Sequence, residues 1–354
     1  MRNKKPVVLI TLDSMKDPNT GFFYFGKALS AAIIRQNQGR FDLNFYVKKS
    51  IFDDGRKLYQ LHKYHKYFFP HFYKFDLVHI TDQFCRLQPE KVKGKKIITI
   101  HDLNQLHQPG ISEQALDESI NTLRKHLQQC DRIVTISEFV ANDIRDIFPE
   151  NAYKVRVIYN GADKLMVDDK HEPNYQPKNK FLYTLGPLNE KKNFHVLPAL
   201  LVDNNYELIV AGITPTPSYT NLLLEKAKEF GCENRVTITG AISDADKAWY
   251  YQHCEAFLFP SLAEGFGLPV IEAMYFGKPV FASDKTSLPE IGGDCAFYFN
   301  NFEPEYMQQV FKNGMARYVS NHMEADIIAR AQLFNWETTA RNYIGLYEEL
   351  LTAF

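Results

Sequence analysis

Apolar runs of strand length recur along this chain, each followed by a polar loop and most by a helical stretch. Val7-Val8-Leu9-Ile10-Thr11-Leu12 is continuous, the pattern of a strand in a parallel sheet covered on both faces. Comparable runs are Phe75 to Ile80, Lys96 to Leu103, Asp131 to Ile136 and Val155 to Ile158. In the second half they are Phe181 to Gly186, Glu207 to Gly212, Arg235 to Ile242 and Ala256 to Phe259. A helix is predicted from about Phe22 to Arg35, with Leu29, Ile33 and Ile34 on one face. Another ends near Phe230. A last one opens at Phe334-Asn335-Trp336-Glu337 and carries Ala340, Tyr343, Ile344, Tyr347, Leu350 and Leu351 on one side. Strands alternating with helices predict an α/β protein with parallel sheets. Residues 164–180 are polar, contain Pro173 and Pro177 and show no periodicity, which is linker composition. With 354 residues, two doubly wound domains are expected.

Composition narrows the function classes. There are 41 basic and 42 acidic side chains, a net charge of -1, so the totals give no sign of a nucleic-acid partner. The five cysteines are scattered, with no C-x-x-C pair, so neither a zinc site nor a disulfide framework is indicated. A reducing, cytoplasmic setting fits best. The N-terminal run ending at Asp13 is too short to span a membrane and lacks a signal-peptide cleavage region.

The chemistry centres on Pro260-Ser261-Leu262-Ala263-Glu264-Gly265-Phe266-Gly267-Leu268-Pro269-Val270-Ile271-Glu272. The Ala256–Phe259 run precedes it, and a helix is expected to start near Leu268-Pro269, since proline suits a first helical position. The amides of Gly265, Phe266 and Gly267 then sit near a helix N-terminus, which favours an anion. Glu264 on the loop and Glu272 on the helix bracket a phosphorylated, hydroxyl-rich ligand. Lys191-Lys192-Asn193 opens a helix after the Phe181 strand; two ammonium groups there oppose the helix dipole, which makes sense for anion ligands. Asp244-Ala245-Asp246 has the form of a D-x-D metal motif, but Ser243 with Asp246 reads as a capping box, so no metal is assigned.

These residues resemble the E-x7-E signature of retaining glycosyltransferases of the GT-B fold, in particular glycosyltransferase family 4. The resemblance covers nearly the whole chain and is weakest between Ser50 and Lys74. It implies two Rossmann-like domains flanking an interdomain cleft: an acceptor domain over 1–163 and a donor domain over 164–337, with a C-terminal helix, 338–354, crossing back to the first. It implies that Glu272 bonds the nucleotide ribose and Glu264 lies by the donor sugar. Lys192 holds the diphosphate, with Lys191 standing in for an arginine that Pro187 replaces. Gly265, Phe266, Gly267 and Leu268 cover sugar and phosphate, and Ile242 lies against the base. Gly21 matches the family's glycine-rich loop, although Phe23 occupies the place of a second glycine. His101 faces sugar and acceptor, with Asp102 beside it on the acceptor side. Ser137 is first a helix cap and then a cleft contact, and Asn160-Gly161-Ala162-Asp163 matches the family's strand end before the crossover.

The implied reaction is retaining transfer of a hexose from a nucleotide-sugar to an acceptor hydroxyl, with no metal and no cofactor beyond that co-substrate. His101, Glu264 and Lys192 carry the chemistry. The wording of the 261–269 and 286–293 segments looks most like bacterial mannosyltransferases of surface-polysaccharide assembly, such as lipopolysaccharide. GDP-mannose is therefore the leading donor, a UDP-sugar the alternative, and a lipid-linked glycan the acceptor. A GT-B-like binding subunit without turnover, favoured by Pro187 and Phe23, is a second class. A nucleotide-sugar epimerase is a third and would not need both glutamates. Finally, residues 56–74 hold lysines, an arginine, histidines and many aromatics but no acid. That stretch is either a core-facing helix or a docking surface for anionic lipid at the cytoplasmic face of the membrane.

Overall fold

The computed structural model describes residues 5–15, 21–48, 57–70, 73–106, 112–215 and 217–352. It divides into one unit of Met1–Gly161 with Asn335–Phe354 and another of Ala162–Phe334. The sequence reading sets these two breaks slightly later, after 163 and after 337.

The first unit holds β1 (Val7–Thr11), α1 (Gly21–Asn37), β2 (Asp42–Val47), β3 (Leu58–Gln60), β4 (Leu77–Ile80), β5 (Lys95–Ile100), α2 (Glu113–Gln128), β6 (Arg132–Thr135), α3 (Glu138–Ile147) and β7 (Val155–Val157). Its described strands form one parallel sheet in the order β3-β2-β1-β4-β5-β6-β7. Both faces are covered, as the unbroken apolar runs require. Val8 and Ile10 pack with Leu29 and Ile33 of α1 on one side. Leu9 packs with Val78, Ile98, Leu127 and Ile144 on the other.

The second unit holds β8 (Phe181–Leu185), β9 (Glu207–Ala211), α4 (Pro217–Glu229), β10 (Val236–Gly240), α5 (Asp244–His253), β11 (Ala256–Phe259), α6 (Leu268–Tyr275), β12 (Val280–Ser283), α7 (Leu288–Gly292), β13 (Ala296–Phe299), α8 (Pro304–Ser320) and α9 (Glu324–Gln332). Its described strands are also all parallel, ordered β10-β9-β8-β11-β12-β13. In each sheet the order reverses next to the first strand, between β1 and β4 and between β8 and β11. Such a switch point leaves a crevice at the C-terminal strand ends.

The chain then returns to the first unit as α10 (Trp336–Thr352), which packs on α1. The apolar side read from the sequence is the buried one: Ala340, Tyr343, Ile344, Tyr347 and Leu350 are in the core, and Leu351 is half-buried. A buried polar chain fixes its register. His79 of β4 contacts the Tyr347 hydroxyl at 2.6 Å and Thr99 of β5 at 2.9 Å, and Thr99 contacts the Tyr343 hydroxyl at 2.9 Å.

Several expectations are corrected. The runs picked from the sequence omit β2, β3, β12 and β13. Lys191 and Lys192 lie in a three-residue 3-10 turn, Glu190–Lys192, and the following Phe194–Leu201 is a 3-10 run that contains Pro198, not an α-helix. Residues 286–293 include the short helix α7 rather than a plain loop. The 56–74 stretch is not a helix: it is edge strand β3 followed by a 3-10 turn at Lys63–Lys66. Arg56 and residues 71–72 lie outside the described residues, as does the Lys66 side chain. Phe69 turns into the core, while Tyr64, Tyr67 and Phe68 are exposed.

Candidate active site

In the second unit the site grows from strand ends. Gly186 follows β8 and Gly212 follows β9, and their backbones touch: a Cβ on Gly212 would lie 1.9 Å from the Gly186 carbonyl oxygen. A Cβ on Gly186 would crowd the Lys192 stem at 3.1 Å. This close approach is what glycine permits. Asn189 caps the next turn, its Oδ1 accepting the Lys192 amide at 3.2 Å. The Lys192 side chain is thereby delivered over the Phe259 ring, 4.8 Å from its centroid.

From β11, on the other side of the switch point, comes Glu264. Its Oε1 accepts from Lys192 Nζ at 2.5 Å and from Ser261 Oγ at 2.5 Å. Thr286 Oγ1 accepts the Glu264 amide, and Ser287 Oγ donates to the carbonyls of Glu264 and Phe266. Burial alone would raise the Glu264 carboxyl, but Lys192 and Lys191 outweigh it and hold it below the usual carboxylate range. Burial lowers the Lys192 ammonium from its ordinary value, opposed by Glu264. Lys191 is half-buried, and its carbonyl accepts the Leu262 amide and the Ser261 hydroxyl.

Gly267 is the N-cap of α6 at φ +114, where a side chain would be strained and would meet Leu288 at 2.9 Å. Being glycine, it supplies no side-chain cap to the first-turn amides. Leu268 is the first helical residue and Pro269 the second. The Phe266 ring is not a ligand surface: it is buried and packs edge-on against Phe334 at 5.7 Å. Only its backbone remains for a ligand role.

Glu272 projects from α6 toward α5. Its two oxygens contact Lys247 Nζ at 2.9 Å and the Tyr251 hydroxyl at 3.0 Å. Neither partner was singled out in the sequence, yet Lys247 and Tyr251 are four apart on one helix and so share a face. Ile242 lies half-buried in the turn between β10 and α5. The capping box forms as read: Ser243 Oγ accepts the Asp246 amide at 3.0 Å, and the Asp246 carboxylate faces the Ser243 amide at 3.4 Å. Asp246 is buried and also bonds His171 at 2.8 Å, so it is committed to structure.

In the first unit His101 and Asp102 follow β5. His101 is buried, its ring enclosed edge-on by Phe22 and Phe25 at 5.0 and 4.5 Å. Its Nε2 faces the Thr81 carbonyl at 2.8 Å, and since a carbonyl only accepts, that nitrogen is the donor. Gln83, absent from the sequence reading, clamps the pair: its Oε1 accepts the His101 amide and its Nε2 donates to the Asp102 carbonyl. Asp13, at the end of β1, is buried, and its carboxylate accepts from Cys85 Sγ and the Arg86 amide, both at 2.8 Å. Ser137 caps α3. Gly21 is the exposed first residue of α1, with open space where a Cβ would stand, so no steric demand for glycine is visible there.

Two parallel doubly wound units, with charged side chains converging at the switch point of the second, have the architecture of the GT-B fold. Two family models between them span most of the chain: Glycosyltransferase Family 4 over residues 27–164 and Glycosyl transferases group 1 over 167–332. The chain thus carries a Glycosyltransferase Family 4 domain followed by a Glycosyl transferases group 1 domain. It is 26% identical over 281 residues to the serotype-specific mannosyltransferase WbdA of Escherichia coli, an alignment covering 74% of this chain and 34% of that protein. The chain thus spans about a third of that relative's length. It is 25% identical over 279 residues to O-antigen chain mannosyltransferase B of Escherichia coli, covering 72% of this chain and 71% of the relative. Among solved structures, Anabaena HepE in complex with UDP and glucose superposes with a TM-score of 0.68 at 16% identity, over 97% of this chain and 99% of that one.

Proposed function

We propose that the chain is a retaining hexosyltransferase that moves mannose from GDP-mannose to a hydroxyl of a lipid-linked surface glycan. The observation that carries this reading is the meeting of Lys192 and Glu264 across the β8/β11 switch point, with Glu272 held on the adjacent helix. Glu272 would accept both ribose hydroxyls, and Ile242 would lie against the base. As the bond from the anomeric carbon to the phosphate oxygen breaks, charge grows on the diphosphate. Lys192, Lys191 and the amides from Gly265 to Leu268 would stabilise that charge. The acceptor oxygen bonds to the anomeric carbon on the same face, and its proton passes to the departing phosphate. His101 Nδ1 would accept a sugar hydroxyl, and Glu264 would sit by the donor sugar. Gly21 would line the phosphate side, and Asp102 would face the acceptor.

The mannosyltransferase relatives support mannose as the sugar. A UDP-sugar is the alternative donor. A binding subunit without turnover would retain the nucleotide site and lack transfer. A cytoplasmic setting is proposed, at the membrane face through residues 57–70; no helix among the described residues is long and apolar enough to cross a membrane.

A thermal-shift panel of nucleotide-sugars tests the donor. A ligand at 100 times its dissociation constant stabilises by about 2.7 kcal/mol, and GDP-mannose should give the largest shift. Transfer to an acceptor should then persist in EDTA, because lysines and amides supply the positive charge. Loss of transfer in EDTA with rescue by magnesium would overturn the metal-independent mechanism, and binding without turnover would favour the subunit reading.

A further inference from the structure

A cavity of about 430 Å³ opens in the first unit beside Asp102. Its walls come from the segment after β4, which gives Phe84, the segment after β5, which gives Asp102 and Gln105, and one face of α2, which gives Ala115, Glu118 and Ser119. The volume is within the range of roughly 300–1,000 Å³ usual for small-ligand sites.

The lining has a definite chemistry. Phe84 leaves 66% of its surface exposed, an apolar ring face with nothing covering it fully. Gln105 Nε2 is tied to Ser119 Oγ at 2.6 Å, which fixes the amide and leaves its carbonyl to accept. One Asp102 oxygen accepts the Asn104 amide at 3.1 Å, and a carboxylate has further acceptor positions. Glu118 Oε1 accepts from the exposed Gln114 amide at 3.1 Å, and a carboxylate has further acceptor positions. The described lining includes two carboxylates and no lysine or arginine; His126 at the base is pulled toward its neutral form by burial. An exposed ring beside several acceptors suits a pyranose, whose C–H face packs on the ring while its hydroxyls donate to carboxylates. The two negative charges disfavour phosphate or uronate.

We propose that this cavity binds a neutral sugar residue of the acceptor glycan, with Phe84 as the stacking platform and Asp102, Glu118 and Gln105 as hydroxyl partners. This rests on the acceptor-glycan reading above and adds to it: the phosphate of a lipid carrier must be held elsewhere. Asp102 directly follows His101, so the cavity adjoins the residue assigned to the reacting sugar.

The test is titration of the full chain with neutral trisaccharides of mannose, glucose and galactose, and with trigalacturonic acid as the charged control. At least one neutral trisaccharide should bind and trigalacturonic acid should not. Phe84→Ala should weaken that binding about tenfold. Ala115→Trp, at an exposed helix position, should fill the cavity and abolish it. Thermal shifts with nucleotide-sugars, run on the same proteins, should be unchanged and so report intact folding and an intact donor side. No binding of any neutral trisaccharide, equal binding of the acid, or full binding by both folded variants overturns the proposal. Trisaccharide binding that the variants lose, in a chain that no nucleotide-sugar shifts, sustains the cavity and removes the donor reading instead.

Discussion

Lys192 Nζ lies 2.5 Å from Glu264 Oε1, with the two side chains only 9% and 13% exposed. The pair joins residues that follow β8 and β11, the strands on either side of the switch point. Removing one member of a buried pair strands the other charge, at a cost of about 3–5 kcal/mol. Lys192→Ala should therefore lower the stability of the second unit as well as turnover. Lys192→Met combined with Glu264→Leu should recover most of that stability and remain inactive. The Glu264 carboxyl is held below its ordinary value, so the pair's contribution is present above the normal carboxylate range and fades as pH falls through the folded value. Urea midpoints decide: a double variant no more stable than Lys192→Ala would mean that the pair is not what holds the loop.

Glu272 supplies a second prediction. If it accepts the ribose hydroxyls, Glu272→Ala should weaken nucleotide binding by about 1.5–3 kcal/mol, the range for hydrogen bonds to a charged group. Lys247 and Tyr251 hold the carboxylate in place, so Lys247→Met should cause a smaller loss in the same direction. Calorimetry with unchanged affinity in a folded Glu272→Ala variant would remove the assignment.

How far the sequence reveals this protein follows from what each element requires locally. Strands such as β1 and β11 are unbroken apolar runs because both faces are covered, and they stand out. β2 does not, since Asp42 and Asn44 interrupt it; Asn44 is nonetheless buried, with its amide donating to the Asp42 carbonyl. β3 has three residues at a sheet edge, too few to show a period. The capping box at Ser243 is legible because it is local. The Lys192–Glu264 contact is not, because its partners are 72 residues apart and meet only through strand order. Lys247 does carry a local signal: one turn before Tyr251, it places a cation on the face that α5 turns to α6. Gln83 had none, since its clamp on His101 depends on β4 lying beside β5.

Burial of His79 makes the first unit acid-sensitive. Its ring is fully enclosed, which pushes its pKa down to about 3, with His101 adding to the effect. An unfolded histidine titrates near 6.5, so below that pH the unfolded chain takes a proton that the folded chain refuses. Stability should thus fall as pH drops, by about 2 kcal/mol between pH 6.5 and pH 5 from this residue alone. His79→Gln keeps a polar side chain and cannot titrate, so it should flatten that slope. The reporter is Trp336, buried in the first unit, in a Trp249→Phe background. Equal slopes in the two proteins would show that His79 is not the titrating group.

The last prediction concerns the aromatic edge of the first unit. Tyr64, Tyr67 and Phe68 are 58%, 72% and 56% exposed, an unusual grouping of large rings on a water-facing surface. Lys63 lies over the Tyr64 ring at 5.1 Å. Lys57 is exposed and pairs with Asp42 of the neighbouring strand at 3.6 Å, an ion pair that solvent screens. The structure thus brings in an acid that the 56–74 stretch itself lacks. Basic residues near an anionic bilayer contribute about 1 kcal/mol each, and aromatic rings settle at its interface. The chain should sediment with liposomes containing anionic lipid, and salt should release it. Lys57→Glu with Lys63→Glu should abolish binding by charge reversal. Tyr67→Ser with Phe68→Ser should weaken it with little change in its salt dependence, since it removes no charge. Circular dichroism should show both variants folded. Equal partition onto neutral and anionic liposomes, or unchanged binding by both variants, would leave these rings as surface residues without a lipid partner.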